Sequence, residues 1–152
     1  MKDAVDHIME VMDTAFDPSW GEAWNRRQVS DALIIPSTHA IVIDAQGAMD
    51  GEAMKETAGF CLSRGIAGEE ELLLIGVKPE FRGSGLGRKM IQQLIRDARG
   101  REVSRIYLEM RANNPAENLY RNIDFQPIGK RPKYYRLSNG ERMDAITFGL
   151  SI

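Results

Sequence analysis

Cysteine and histidine are scarce in this chain of 152 residues, which contains one cysteine, Cys61, and two histidines, His7 and His39. A single thiol excludes a disulfide within the chain, and so few soft ligands argue against a zinc site. We therefore expect no bound metal and a reducing, cytoplasmic environment. No apolar run approaches the roughly 20 residues of a membrane span, and the acidic start lacks the positive charge of a signal peptide. We also expect no membrane partner.

The length fits one domain, since domains usually contain roughly 100–200 residues, and we expect a single domain over residues 1–152. The formal net charge is only −2, but residues 1–81 carry 6 basic and 15 acidic side chains, whereas residues 82–142 carry 14 basic and 6 acidic ones. This segregation predicts an anionic ligand for the basic half and a cationic one for the acidic half, unless folding mixes the charges on one surface. Nucleic acid is not expected, because the basic half lacks interleaved aromatic residues and a reading helix.

Hydrophobic periodicity predicts helices and strands along the whole chain. An amphipathic helix is expected from Val5 to Phe16, and a second one is expected to begin at Ser19 or Gly21 and to end before Pro36. Another helix follows over residues 86–100, and a short one begins after Asn114. The predicted strands span residues 38–44, 57–63, 71–77, 105–111, 125–131 and 145–150. The short connections between the first three predict antiparallel pairing, with residues 45–56 as a loop.

Glycines at alternate positions form the most informative motif, RGSGLG at residues 82–87, between a predicted strand and a predicted helix. Glycines let backbone N–H groups converge on phosphate oxygens, and the helix dipole adds positive potential. The sequence RKM at residues 88–90 excludes a Walker loop, which needs Gly-Lys-Ser/Thr. The spacing G-x-G-x-G and the intervening residues 78–81 disfavour a dinucleotide-binding loop. The simpler alternative is a flexible strand-to-helix loop.

This motif resembles the acetyl-CoA loop, Gln/Arg-x-x-Gly-x-Gly/Ala, of the GCN5-related N-acetyltransferases. The resemblance continues in YLEMRANN at residues 107–114, in the Leu-Tyr pair at 119–120, and at residues 131–135 and 144–145. The resemblance is strongest to the bacterial members of this family that acetylate the N-terminal alanine of ribosomal proteins. It implies an α/β (α+β) fold with a mixed, mostly antiparallel central sheet, helices on both faces, and a splay between the strands near residues 71–77 and 105–111.

The resemblance implies acetyl-CoA as co-substrate, held between these two strands. The residues expected to contact it are Ile75, Gly76, Val77, Arg82, Gly83, Ser84, Gly85, Leu86, Gly87 and Arg88, with Asn113 or Asn114. The loop amides would bind the pyrophosphate, and the backbone of Ile75 and Val77 would hold the pantetheine arm and polarise the thioester carbonyl. The family asparagine stays unassigned, because its spacing from the glutamate selects Asn114 and its spacing from the tyrosine selects Asn113.

The resemblance also implies two catalytic side chains. Acyl transfer to an amine needs one group that removes a proton and one that protonates the departing thiolate. Glu109 is the implied base and Tyr120 the implied acid. From the residues alone, Glu109 fits equally an ion pair with Arg111 or Lys130 on the surface, and Tyr120 fits packing in a short helix.

The implied acceptor is the N-terminal α-amino group of a protein, with Tyr134, Tyr135 and Asp144 as expected contacts. Met143 replaces a family glutamate beside Asp144, which removes one carboxylate from the acceptor side. Two alternatives stay open: acetylation of a small-molecule amine or a lysine side chain, and a non-catalytic module that senses acyl-CoA. We expect a monomer or a weak homodimer.

Overall fold

The computed structural model describes residues 2–49 and 54–152, so part of the predicted loop at 45–56 lies outside the described residues. The helices are α1 (Ala4–Ala15), α2 (Arg26–Ile34), α3 (Leu86–Gly100) and α4 (Ala116–Asn122). The strands are β1 (Thr38–Asp44), β2 (Thr57–Ile66), β3 (Glu69–Val77), β4 (Arg105–Arg111), β5 (Gln126–Arg136) and β6 (Arg142–Ser151). Short 3₁₀ turns lie at Pro18–Trp20 and Pro79–Phe81.

The start of α2 differs from the prediction. Neither Ser19 nor Gly21 begins this helix, because the chain first forms the Pro18–Trp20 3₁₀ turn. Asn25 is the N-cap, and its side chain and that of Gln28 complete a reciprocal capping box. Such a box satisfies two of the backbone donors that a helix end leaves free, so it fixes the start of α2 at a point that the apolar pattern does not mark.

Over residues 2–49 and 54–152, the sheet has six strands in the order β1-β2-β3-β4-β6-β5. All neighbouring strands are antiparallel except β3 and β4, which pair in parallel only where Glu69–Glu71 face Arg105–Tyr107. Beyond these pairs the two strands diverge toward their carboxyl ends. The predicted mixed, mostly antiparallel sheet and its splay are therefore confirmed.

Each face of the sheet is covered by helices, as predicted. On one face α1 and α2 pack Ile8 and Val29 against Phe60 of β2. On the other face α3 packs Met90 and Leu94 in one cluster with strand residues such as Leu108. Residues of β2 thus point into two separate cores, whereas the buried apolar residues of β4 all belong to the core that contains α3. Within the described residues, no helix is both long and apolar enough to cross a membrane.

A buried charge network joins β3 to its neighbours at the end of the sheet opposite the splay. Glu70 is fully buried, and its carboxylate lies 2.9 Å from His39 Nδ1 and 3.2 Å from Arg101 Nη2. Burial raises the pKa of Glu70, but hydrogen bonds from Ser63, His39 and Arg101 outweigh it, so the pKa falls below its usual range. These contacts tie β1, β3 and the end of α3 together.

Candidate active site

A cleft of about 850 Å³ opens where β3 and β4 separate. Its walls come from the ends of these two strands, the connection between α1 and α2, the glycine loop, α4 and Tyr135 of β5. All residues predicted to contact acetyl-CoA line this cleft except Ser84 and Asn113. The backbone edge of β3 that faces the cleft pairs with β4 only up to Glu71, so the rest of that edge can bind an extended ligand.

The glycine loop presents backbone donors to one end of the cleft. Gly83 and Gly85 have φ values of +82° and +84°, and a Cβ atom at either position would meet nothing within 4 Å. These glycines are therefore required by backbone conformation and not by packing. Among the described residues, no side chain caps the first turn of α3, whose first N–H groups lack acceptors within the helix. This uncapped turn fits a phosphate group.

Arg82 holds the loop in place with its side chain. Its Nε donates to the Val77 carbonyl at 3.0 Å, and its Nη2 donates to the Ala15 carbonyl at 2.6 Å. The guanidinium thereby joins the last residues of β3 and α1. Ser84 also bonds within the loop, since its hydroxyl donates to the Phe81 carbonyl at 2.8 Å. Both side chains shape the loop, which leaves its backbone amides to face a ligand.

Glu109 projects from β4 into the cleft, on the face opposite the buried Ile106 and Leu108, as the strand alternation predicts. Its carboxylate lies 3.1 Å from Arg131 Nε and accepts a hydrogen bond of 3.5 Å from the Thr147 hydroxyl. The side chain is 20% exposed. Its ion-pair partner is thus Arg131, whereas the sequence suggested Arg111 or Lys130.

Tyr120 projects from α4 into the same cleft. Its ring packs against Phe125 at 5.8 Å and Phe148 at 6.5 Å between centroids. Burial raises the pKa of Tyr120, and the Cys61 thiol and Glu22 add to the shift. The hydroxyl therefore stays protonated at neutral pH, which a proton donor requires. The side chain serves packing and faces the cleft at once, so the two interpretations of Tyr120 are compatible.

Of the three residues expected to contact the acceptor, Tyr135 lines the cleft, whereas Tyr134 and Asp144 do not. Tyr135 lines the cleft, and burial together with Glu109 raises its pKa to about 12. Tyr134 is 49% exposed and packs edge-on against Tyr135. Asp144 lies outside the lining; its carboxylate accepts a hydrogen bond from the Lys133 amide at 2.8 Å and pairs with Lys130 at 3.2 Å. Asp144 therefore fixes the irregular part of β5 that carries Tyr135.

The two asparagines also differ in position. Asn114 lines the cleft, and its side chain accepts a hydrogen bond of 3.0 Å from the Ala116 amide at the start of α4. Asn113 is exposed, has a φ of +64°, and lies outside the lining. Asn114 thus both caps the start of α4 and lines the cleft.

One further group of cleft residues was not predicted from the sequence; we call it the Trp20 cluster, and it consists of Trp20, Glu22 and Arg111. The Arg111 guanidinium lies 3.7 Å above the Trp20 ring, and its Nε lies 3.6 Å from a Glu22 carboxylate oxygen. All three line the cleft. Arg111 could have been expected in the cleft, because it shares a strand face with Glu109. Trp20 and Glu22 stand about 90 positions earlier in the chain, so sequence spacing could not locate them.

The profile of the Acetyltransferase (GNAT) family matches residues 5–125. The chain belongs to this family and is an acyltransferase. N-alpha-acetyltransferase RimI of Mycobacterium tuberculosis (strain ATCC 25618 / H37Rv) is 37% identical over 127 residues, which cover 82% of this chain and 72% of that protein. The family resemblance seen in the sequence is thus confirmed.

The fold is also found in solved structures. The ribosomal-protein-S18-alanine N-acetyltransferase from Escherichia coli has a TM-score of 0.78 and 25% identity, and the match covers 97% of this chain and 87% of that chain. Arabidopsis thaliana NAA60 in complex with acetyl-CoA shares the fold, with a TM-score of 0.70 and 20% identity over 85% of this chain and 84% of that chain.

Proposed function

We propose that this chain transfers the acetyl group of acetyl-CoA to the N-terminal α-amino group of a ribosomal protein. The observation that carries the proposal is that one cleft brings together the uncapped glycine loop, Glu109 and Tyr120. The names of the Mycobacterium tuberculosis and Escherichia coli relatives support the α-amino group and the ribosomal acceptor. A ribosomal acceptor also implies that the reaction takes place in the cytoplasm.

The proposed co-substrate site follows the chain from the loop into the sheet. The amides of residues 83–88 face the pyrophosphate, with Arg88 beside them, and the free edge of β3 at Ile75 and Val77 bonds the pantetheine arm as an added strand would. Fixed backbone dipoles at that edge polarise the thioester carbonyl without reorganisation. Asn114 lines the same cleft.

The proposed proton transfers use Glu109 and Tyr120. Glu109 removes a proton from the α-ammonium group, directly or through water, so that the amine can attack the thioester carbonyl. As the carbon–sulfur bond breaks, the protonated Tyr120 hydroxyl donates to the departing sulfur. The acetyl group passes directly between the two substrates, and no protein side chain becomes acetylated.

Glu109→Gln and Tyr120→Phe test these roles, because each change removes one proton-transfer group and keeps the shape. We expect kcat with an alanine-starting peptide to fall about 100-fold or more, while the Kd for acetyl-CoA stays within about twofold. Glu141→Gln and Tyr107→Phe make the same chemical changes outside the cleft lining and serve as matched controls.

The result also separates the alternatives. Full activity in both cleft variants would show that the assigned roles are wrong. A wild-type protein that binds acetyl-CoA but acetylates no amine would be a sensor module. Turnover confined to free amines or lysine side chains would replace the proposed acceptor.

A further inference from the structure

The Trp20 cluster carries an inference that rests on the proposed function. Arg111 lies at the end of β4, two positions after Glu109, and its side chain is only 7% exposed. The Trp20 ring covers one face of the guanidinium at 3.7 Å. Glu22, from the connection between α1 and α2, lies beside it with 25% exposure. A cation and a carboxylate thus sit together on the wall of the cleft that also holds Glu109.

The hydrogen bonds of Arg111 are incomplete. Within the described residues, neither Nε nor Nη1 has a hydrogen-bond partner, and both atoms are buried. The Glu22 oxygen at 3.6 Å is beyond ordinary hydrogen-bond distance. Buried guanidinium donors are normally satisfied, and an exception requires an explanation. An oxygen atom that enters with the acceptor would supply the missing partner.

Glu22 is suited to bind a cationic group of the acceptor. Burial raises the pKa of Glu22, and the charge of Arg111 together with its contact to the carboxylate offsets this only in part. A partly buried carboxylate whose nearest guanidinium nitrogen lies 3.6 Å away favours a cationic ligand group that can approach more closely. Glu22 lines the same cleft as Tyr120 and Tyr135, and its charge helps to raise the pKa of both tyrosines.

An N-terminal residue presents a matching pair of groups. Its ammonium nitrogen and its own carbonyl oxygen are about 3 Å apart by standard backbone dimensions, and Arg111 Nε and the Glu22 carboxylate are 3.6 Å apart. We infer that Glu22 and Arg111 form a two-point subsite for an α-amino group, in which Glu22 accepts from the ammonium and Arg111 donates to the first carbonyl. A lysine ε-ammonium offers only methylene groups at that distance, so the subsite selects N-termini over lysine side chains.

Two peptides that differ only in their first residue test the inference: one begins with alanine and the other with β-alanine, which inserts one methylene between ammonium and carbonyl. We expect the wild-type protein to prefer the alanine peptide in kcat/KM. Arg111→Lys keeps the charge but loses the planar fork, and it should reduce this preference about tenfold. Glu22→Gln should raise KM for both peptides about tenfold or more, since it removes a charge-assisted hydrogen bond.

Glu80→Gln is the matched control, because Glu80 is exposed and does not line the cleft. The Kd for acetyl-CoA, expected to stay within about twofold in every variant, reports that each one is folded; if Arg111→Lys fails this check, Glu22→Gln alone decides. Unchanged KM values in Glu22→Gln, or an unchanged peptide preference in a folded Arg111→Lys, would overturn the inference while leaving the proposed function intact. Absence of turnover with both peptides in the wild type would overturn both.

Discussion

Replacing Gly85 by alanine tests how the glycine loop binds its ligand. Gly85 is the N-cap of α3 and has a φ of +84°. An L-residue with a Cβ atom pays about 1–2 kcal/mol in this left-handed region. Nothing lies within 4 Å of the new Cβ, so no packing contact forces the loop to keep the strained conformation. We expect the loop of the variant to relax in the absence of ligand. Binding must then restore the strained conformation, so the affinity for the ligand falls.

The expected loss corresponds to a Kd for coenzyme A that rises about 5- to 30-fold, since 1.4 kcal/mol is a factor of about ten. Isothermal titration calorimetry measures it directly. Gly100→Ala is the control, because Gly100 ends the same helix, is not among the positive-φ glycines, and also has open space around it. Equal affinities of the Gly85 and Gly100 variants would refute the reasoning. A lower melting temperature with an unchanged Kd would show that the loop keeps its conformation under strain.

Two further predictions concern the buried interior. Glu70→Gln should lower the free energy of unfolding by about 2 kcal/mol or more, because hydrogen bonds to charged groups contribute about 1.5–3 kcal/mol each; urea unfolding that shows no change would contradict the network with His39 and Arg101. The pKa of Glu70 is lowered in the folded protein. The ionised carboxylate therefore stabilises the fold above the unfolded-state pKa of about 4.3, and this stabilisation is lost as the pH falls through the folded-state pKa. Glu70→Gln should therefore lose less stability between pH 5 and pH 3 than the wild type. Burial raises the pKa of the Cys61 thiol to about 12, so iodoacetamide at pH 8 should alkylate it in urea but not in the native protein, and rapid native labelling would disprove its burial.

The sequence was most informative where a short local pattern determines the structure. The loop at residues 82–87, Glu109 on a strand face opposite Ile106 and Leu108, and the apolar stripe of the helix at 86–100 all follow from short-range spacing. In the structure the loop, apart from Ser84, and Glu109 line one cleft, whereas the apolar stripe packs mainly into the core. The splay between β3 and β4 came from that resemblance and not from the residues, because strand periodicity does not report where pairing stops.

The errors and omissions involve contacts between distant residues or between backbone and side chain. The start of α2 was wrong because the capping box of Asn25 and Gln28 outweighed the apolar pattern. Glu109 pairs with Arg131, because β4 and β5 both pair with β6 and this brings the two side chains together. Arg111 instead stacks on Trp20, and only the folded chain brings these residues together.

The most direct measurement of the central claim is the position of the acetyl group on a peptide that offers both kinds of amine. The peptide begins with alanine and contains one internal lysine, and it is incubated with the protein and acetyl-CoA before tandem mass spectrometry. We expect acetylation of the α-amino group alone, and no product from the same peptide with a blocked N-terminus. Acetylation of the lysine, or no acetylation while acetyl-CoA is bound, would contradict it.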